Sequence, residues 1–195
     1  MNNTLVNVTA KTEINAANRT ITELKDYQSR NWAIGMNGDT LAPDGFLSFF
    51  TERNLPFSYY VRARGVAVGE PSAYGANIDT LAQHIAAIRA AETNAVNATI
   101  RDLELYKSRN WAIGLNGTTL QPDNFLPFFG TRSVPFDYYV RSGGVELGSP
   151  SAYDNNIRNL KQYLNTLLRA VSLSCLVEAL ARRAASAPCH AYQSA

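Results

Sequence analysis

Residues 76–113 read ANIDTLAQHIAAIRAAETNAVNATIRDLELYKSRNWAI and contain neither glycine nor proline. The stretch ends in RNWAI followed by Gly114, and the same letters followed by Gly35 occur earlier in the chain. The two tryptophans, Trp32 and Trp111, lie 79 residues apart. The sequence therefore predicts a tandem duplication of a 79-residue unit, with this stretch connecting the copies.

Glycine and proline divide the chain into helical runs and compact inserts. All 12 glycines and all but one of the 8 prolines lie in residues 35–75 and 114–150. Because these residues interrupt helices, the three long runs without them, 1–34, 76–113 and 151–187, are predicted to be helical. The predicted fold is mainly α with small β-hairpins, an α+β class, in which each unit is helix, insert and helix.

The duplication sets the predicted organisation of the chain. The segments are an N-terminal segment 1–14, a first unit 15–93, a second unit 94–172, and a helical extension with a frayed tail, 173–195. The tail holds Cys175 and Cys189, whose spacing matches no zinc-binding pattern. The sequence favours two free thiols, and a single disulfide between these cysteines is the alternative.

Apolar residues recur in steps of three and four along each helical run, which gives every predicted helix one apolar seam. The seam residues are Ile14, Ala17, Ile21 and Leu24; Ile78, Leu81, Ile85 and Ile88; Val96, Ile100, Leu103 and Tyr106; and Ile157, Leu160, Leu164 and Leu167. Such seams assemble between chains as a coiled coil or pack within one chain as a helical bundle. Both alternatives remain open.

The central run, 76–113, allows two interpretations. Asn77 is predicted to cap its start, and the seam changes frame near residues 94–97. The run is therefore either one unbroken helix or two helices with a turn near Asn94.

Each insert begins with the pattern T-L-x-P-D-x-F-L-x-F-F, at residues 40–50 and 119–129. A capping threonine and a proline before aspartate are typical of the start of a short helix, and Pro127 limits the length of the second one. Asp44 is predicted to be a helix N-terminal charge, paired with Arg53 or Arg62.

Each insert continues with P-F-x-Y-Y-V-R, at residues 56–62 and 135–141, which predicts a β-hairpin. Strict alternation places Phe57, Tyr59 and Val61 on the core face and puts Tyr60 on the opposite face. The candidate binding residues are Tyr60, Arg62, Tyr139 and Arg141, since aromatic rings beside arginine can stack on sugars or peptide side chains.

Composition and motifs exclude several classes of function. The net charge of +2 and the pI near 8.6 do not indicate a nucleic-acid or membrane partner. The N-terminus lacks the pattern of a signal peptide, which predicts a soluble protein and is compatible with a virion or the cytoplasm. With His84 and His190 as the only histidines, no catalytic set, metal site or cofactor site is predicted.

These observations favour a non-enzymatic structural or assembly protein that forms homo-oligomers through its helical seams or binds other structural proteins. Chains built from segmented helices and small domains are similar, in general style, to components of phage or viral particles and their fibres. The alternative function is a carbohydrate- or peptide-binding module with one site per unit, at Tyr60 and Arg62 and at Tyr139 and Arg141.

Overall fold

The computed structural model describes residues 9–36, 44–63, 66–115, 123–142 and 145–185. Within these ranges, the side chains at 62, 63, 66, 142, 145 and 169–185 are outside the description. The chain divides into two compact units, Met1–Glu92 and Thr93–Ala195.

The described elements are mainly helical. In chain order they are α1 (Ala10–Arg30), α2 (Gly45–Glu52), β1 (Tyr60–Ala63), β2 (Val66–Gly69), α3 (Ser72–Arg109), α4 (Phe125–Thr131), β3 (Tyr139–Ser142), β4 (Val145–Gly148) and α5 (Ser151–Ala185). β1 pairs antiparallel with β2, and β3 pairs antiparallel with β4. The predicted class, helices with two small antiparallel strand pairs, is confirmed.

The helix α3 is continuous from Ser72 to Arg109. Residues 94–97 are helical, so the alternative of a turn there is wrong. The hydroxyl of Thr99 donates to the carbonyl of Ala95, and Val96 is fully buried. Burial of this face compensates for the low helix propensity of the neighbouring asparagines. The predicted bounds, 76–113, are four residues late at each end. At the start, the Ser-Ala-Tyr part of the insert's exit already belongs to the helix. At the other end, the helix stops at Arg109, before Asn110, which has φ 52°.

The short helices of the inserts are α2, with 8 residues, and α4, with 7 residues. They begin at Gly45 and Phe125, whereas the predicted starts at residues 40 and 119 lie outside the described residues. Pro127 is the third residue of α4, in the first turn. A proline there removes no helical hydrogen bond, because the first N–H groups of a helix have no partner within it.

The apolar seams pack inside each unit. In unit 1, a cluster of buried residues joins α1, α2, β1 and α3: Leu24, Ile34, Phe46, Phe50, Tyr60, Ala73, Tyr74 and Leu81. In unit 2, the corresponding cluster joins α3, α4, β3 and α5: Val96, Ile100, Leu103, Ile113, Phe125, Phe129, Tyr139, Ala152, Tyr153, Ile157, Leu160 and Leu164. Of the two alternatives for the seams, the clustered residues follow the second one, packing within one chain. Their buried side chains are therefore not available for a coiled coil between chains.

Beyond α1, the chain adds an extended segment to the strand pair of unit 1. The N–H of Ile34 donates to the carbonyl of Tyr60 at 2.8 Å, and the N–H of Tyr60 donates back at 3.2 Å. Ile113 and Tyr139 make the same two bonds in unit 2, at 2.9 and 3.2 Å. Tyr60 and Tyr139, the first residues of β1 and β3, therefore have a backbone neighbour on both sides.

The bend after this bridge requires glycine. Gly35 has φ +97°, and a Cβ atom built on it would lie 2.6 Å from Cε1 of Phe57 and 2.7 Å from Cδ1 of Tyr59. Gly114 has φ +94° and faces the equivalent rings. A side chain at either position would meet both an unfavourable φ and a steric clash.

Replacing Gly35 with alanine is expected to lower the free energy of unfolding by about 1–3 kcal/mol, since the backbone is strained and two aromatic rings must move. Urea denaturation followed by circular dichroism measures this loss.

Gly75→Ala is the matched control, because Gly75 lies in α3 and a Cβ there meets nothing within 4 Å. It is expected to leave stability unchanged or raise it by up to about 1 kcal/mol. Equal effects of the two substitutions would contradict the role assigned to Gly35.

Candidate functional site

Asp44 is held by backbone donors on both of its carboxylate oxygens. Oδ2 accepts from the N–H of Gly35 at 2.7 Å, and Oδ1 accepts from Phe46 and Leu47 at 3.1 Å each. Its prediction as a helix N-terminal charge is confirmed, since it is the N-cap of α2. Both carboxylate oxygens of Asp44 therefore take part in the local fold.

Asp123 repeats this arrangement in unit 2. Oδ2 accepts from Gly114 at 2.7 Å, and Oδ1 accepts from Phe125 at 3.0 Å and Leu126 at 3.4 Å. The aspartate that recurs in both inserts therefore has the same structural role in each of them.

Two buried asparagines, which the sequence did not single out for this role, clamp the segments that lead into the strands. Asn77 accepts from the N–H of Ser58 at 2.9 Å and donates to its carbonyl at 2.8 Å. Asn156 does the same to Asp137, at 2.8 Å for each bond. The prediction of Asn77 as an N-cap is wrong, because the helix begins at Ser72 and Asn77 lies within it. The sequence signal for this role was the recurrence of asparagine at positions 77 and 156, which are 79 residues apart.

Two tyrosines anchor the tryptophan segments to the long helices. The hydroxyl of Tyr74 donates to the carbonyl of Trp32, and the hydroxyl of Tyr153 donates to the carbonyl of Trp111. Burial raises the pKa of Tyr153 above its ordinary value, and the nearby Tyr139 raises it further. Arg141 acts in the opposite direction. Tyr153 is therefore a neutral hydrogen-bond donor over the physiological range.

The predicted binding tyrosines are buried. Tyr60 and Tyr139 are each 2% exposed, so their placement on an accessible face is wrong. The reason is that Val61, at 1%, is also buried, which means that β1 is covered on both faces and alternation does not assign an outer one. The ring of Tyr139 packs against Tyr153 at 5.5 Å between centroids.

Of the two predicted arginines, Arg141 is the one whose side chain the structure describes, and it lies beside a buried tyrosine. The Arg141 side chain is 58% exposed; it lies 5.5 Å from the centroid of Tyr139 and 3.5 Å from the carboxylate of Glu146. The side chain of Arg62 lies outside the described residues.

A polar cluster joins three elements of unit 1. Glu13 accepts from Nε of Arg53 at 2.5 Å and from Nη2 at 3.1 Å, and Nε2 of His84 lies 3.0 Å from the same carboxylate. Arg53 also lies over the ring of Phe49, 3.6 Å from its centroid. Arg53 thus pairs with Glu13 and not with Asp44 as predicted.

Sequence reasoning missed Glu13 because the first unit was taken to begin at residue 15. Extending the same register two positions upstream aligns Glu13 with Glu92. The bond from Arg53 lowers the pKa of Glu13 below its ordinary value, burial opposes this shift, and the bond with His84 lowers the pKa further. No hydroxyl or thiol nucleophile belongs to this cluster, which acts as a bridge between α1, α2 and α3.

The exposed side of each unit carries a tryptophan stacked with arginine. Trp32 is 46% exposed and Trp111 is 43% exposed. The guanidinium of Arg30 lies 4.6 Å from the ring centroid of Trp32, and Arg109 lies 4.6 Å from that of Trp111. We call these two pairs the Trp–Arg surfaces.

A tyrosine also packs against each exposed ring. Tyr27 meets Trp32 edge-on at 5.1 Å, and Tyr106 meets Trp111 edge-on at 5.1 Å. Each indole is thus held between a cation and an aromatic edge while much of its surface contacts solvent.

Within the described ranges, no group of three or more His, Cys, Asp or Glu side chains could hold a metal ion. In the same part of the chain, no helix is sufficiently long and apolar to cross a bilayer. The clusters found here therefore supply hydrogen bonds, ion pairs and ring stacking.

No protein-family model, no curated protein and no solved structure matches this chain. A proposal for its function therefore rests on its own residues.

Glu13→Gln is expected to lower the free energy of unfolding by about 1–3 kcal/mol at neutral pH, because a charge-assisted bond to Arg53 is lost. The folded-state pKa of Glu13 lies below its ordinary value of 4.5. Its contribution is therefore complete above that value and is lost as the pH falls through the lowered pKa.

Urea denaturation of both proteins over a series of pH values measures this difference. The gap between wild type and variant should close on acidification, while a gap that stays constant down to strongly acid pH would contradict the ionic role of Glu13.

Proposed function

We propose that this chain is a non-enzymatic structural or assembly protein, a tandem duplication of a 79-residue unit, that associates with copies of itself through its Trp–Arg surfaces. Phage or viral particles are one setting for such a protein, by analogy of architecture. Other structural proteins are the second kind of partner.

The duplication is supported by matched interactions at the same offset. The bonds of Asp44 recur at Asp123, those of Asn77 recur at Asn156, and that of Tyr74 recurs at Tyr153. Each recurring polar group closes a bond inside its own unit. These recurring bonds stabilise the fold of each unit. Their recurrence is therefore explained by folding and does not require a ligand.

One observation carries the proposed association: tryptophan and arginine recur as a pair and remain exposed, whereas the other recurring aromatic groups lie in the cores or on their margins. Exposed tryptophan and arginine are the residue types most enriched at the energetic centres of protein interfaces. Since Tyr27 and Tyr106 hold the rings in place, little side-chain freedom is lost on association.

The two Trp–Arg surfaces differ in one neighbour. In unit 1, Asp26 lies 3.2 Å from Arg30 and forms an ion pair with it. The equivalent position in unit 2 is Leu105, which is 43% exposed. The surface of unit 2 is therefore more apolar, and we assign it the larger share of the association energy.

The helical seams do not provide this contact. Most of their described side chains are buried within the units, and Ile21, Ile78 and Tyr106 pack against the buried clusters. Opening the seams for association would therefore expose two cores. The proposal therefore places association on a different surface from the one that the sequence suggested.

Trp111→Ala is expected to weaken self-association by about tenfold or more, as hot-spot tryptophans do, and Trp32→Ala is expected to weaken it less. Multi-angle light scattering of the full chain over a range of concentrations measures the effect. Neither substitution should change the thermal midpoint by more than a few degrees, because both rings lie largely outside the cores.

Leu147→Ala is the matched control, since Leu147 is 49% exposed and lies on β4, away from the Trp–Arg pair in sequence. It should leave association unchanged. A wild-type chain that stays monomeric at every concentration would overturn self-association, and equal effects of Leu147→Ala and Trp111→Ala would overturn its assignment to the tryptophan.

A further inference from the structure

Unit 2 contains an open cleft of about 300 Å³ beside its strand pair. The segment before β3, the end of β4 and the start of α5 form its walls. The residues that matter for its chemistry are Asp137, Tyr138, Leu147, Gly148, Ser149 and Ser151. None of them belongs to the Trp–Arg surfaces, and Tyr139 and Arg141 do not line the cleft.

The backbone forms part of the cleft at Gly148. This residue has φ +80°, and a Cβ atom there would lie 1.7 Å from the carbonyl oxygen of Tyr138. Only glycine permits this close approach of the two strands. The position therefore adds no side chain to the space between the walls.

Asp137 lines the cleft, and its carboxylate is held through one of its two oxygens. Asn156 clamps its backbone, and Nδ2 of Asn155 donates to Oδ2 at 2.6 Å. Among the described residues, no donor is bonded to Oδ1. Asp137 thus offers an oriented acceptor whose position needs little adjustment when a ligand binds.

Two hydroxyls supply the complementary donor. The Oγ atoms of Ser149 and Ser151 lie 2.5 Å apart and share one hydrogen bond. Each hydroxyl carries one proton, so the pair uses one and can donate the other to a ligand. The cleft therefore presents both an acceptor and a donor, next to the apolar side chain of Leu147 and the ring of Tyr138.

This mixture selects the class of ligand. A free anion would be repelled by Asp137. An ammonium group would meet a single carboxylate among the lining residues, and the positive end of the α5 dipole at Ser151 would weaken that attraction. A sugar hydroxyl is neutral and both donates and accepts, and the C–H face of a sugar ring suits an apolar wall. The volume lies at the lower end of ligand pockets, which suits a single ring.

We infer that the cleft of unit 2 is a saccharide subsite, in which Oδ1 of Asp137 and the Ser149–Ser151 hydroxyls bind neighbouring hydroxyls of one sugar ring. This inference is independent of the proposed assembly role. Unit 1 has Ser58 and Glu70 at the positions of Asp137 and Ser149, so the assignment concerns unit 2.

The test is an NMR titration of the isotopically labelled full chain with three probes: the methyl glycosides of glucose, galactose and N-acetylglucosamine. At least one glycoside should bind saturably and shift amide signals of residues 137–138 and 147–151. Asp137→Asn, which keeps an oxygen for Asn155, should weaken that binding by about tenfold, the loss typical of one charge-assisted hydrogen bond.

Trp111→Ala is the control for folding and for any effect of self-association, and it should leave the glycoside affinity unchanged. Circular dichroism melting confirms that each variant is folded. If Asp137→Asn does not fold, Ser149→Ala takes its place and should also weaken binding.

Three results would overturn the inference. They are the absence of saturable binding by all three glycosides, an affinity that the folded cleft variants leave unaltered, and tighter binding of Nα-acetyl-lysine amide than of any glycoside. Shifts confined to unit 1 would overturn the assignment to this cleft.

Discussion

The carboxylate of Asp44 joins two parts of unit 1 that lie nine positions apart in the chain. One oxygen holds the N–H of Gly35, at the bend that follows the bridge to β1, and the other holds the first N–H groups of α2. A single side chain therefore places the strand pair and the short helix relative to one another. Asp123 does the same in unit 2, where α4 contains a proline in its first turn.

Around this carboxylate, the remaining polar contacts tie the insert to the long helices. Asn77 clamps the segment before β1, and Tyr74 reaches the carbonyl of Trp32. Both residues are buried, so each polar group must be bonded to avoid a desolvation penalty of about 1–3 kcal/mol. Aromatic rings fill the space between these bonds, which makes the insert a small domain that needs the helices on either side.

The same packing explains which surfaces can act on other molecules. Tyr60, Tyr139 and most of the helical-seam side chains lie in the cores. The carboxylates of Asp44 and Asp123 accept hydrogen bonds from the backbone at the start of α2 and α4. Among the recurring aromatic residues that the structure describes, the tryptophan beside its arginine is exposed in both units. In unit 2, Asp137 and Ser149 line a cleft, whereas unit 1 has Ser58 and Glu70 at the corresponding positions.

The sequence by itself determined the helical class, the strand pairs and the repeated pattern, because glycine, proline and apolar spacing act over a few neighbouring residues. It also identified Asp44 as a helix-start residue for the same reason. It did not determine that Tyr60 is buried, that Asn77 lies inside a helix, or that Glu13 pairs with Arg53 across 40 positions. Those outcomes depend on which segments cover both faces of β1 and on which helices meet, and such long-range contacts leave no local spacing in the sequence.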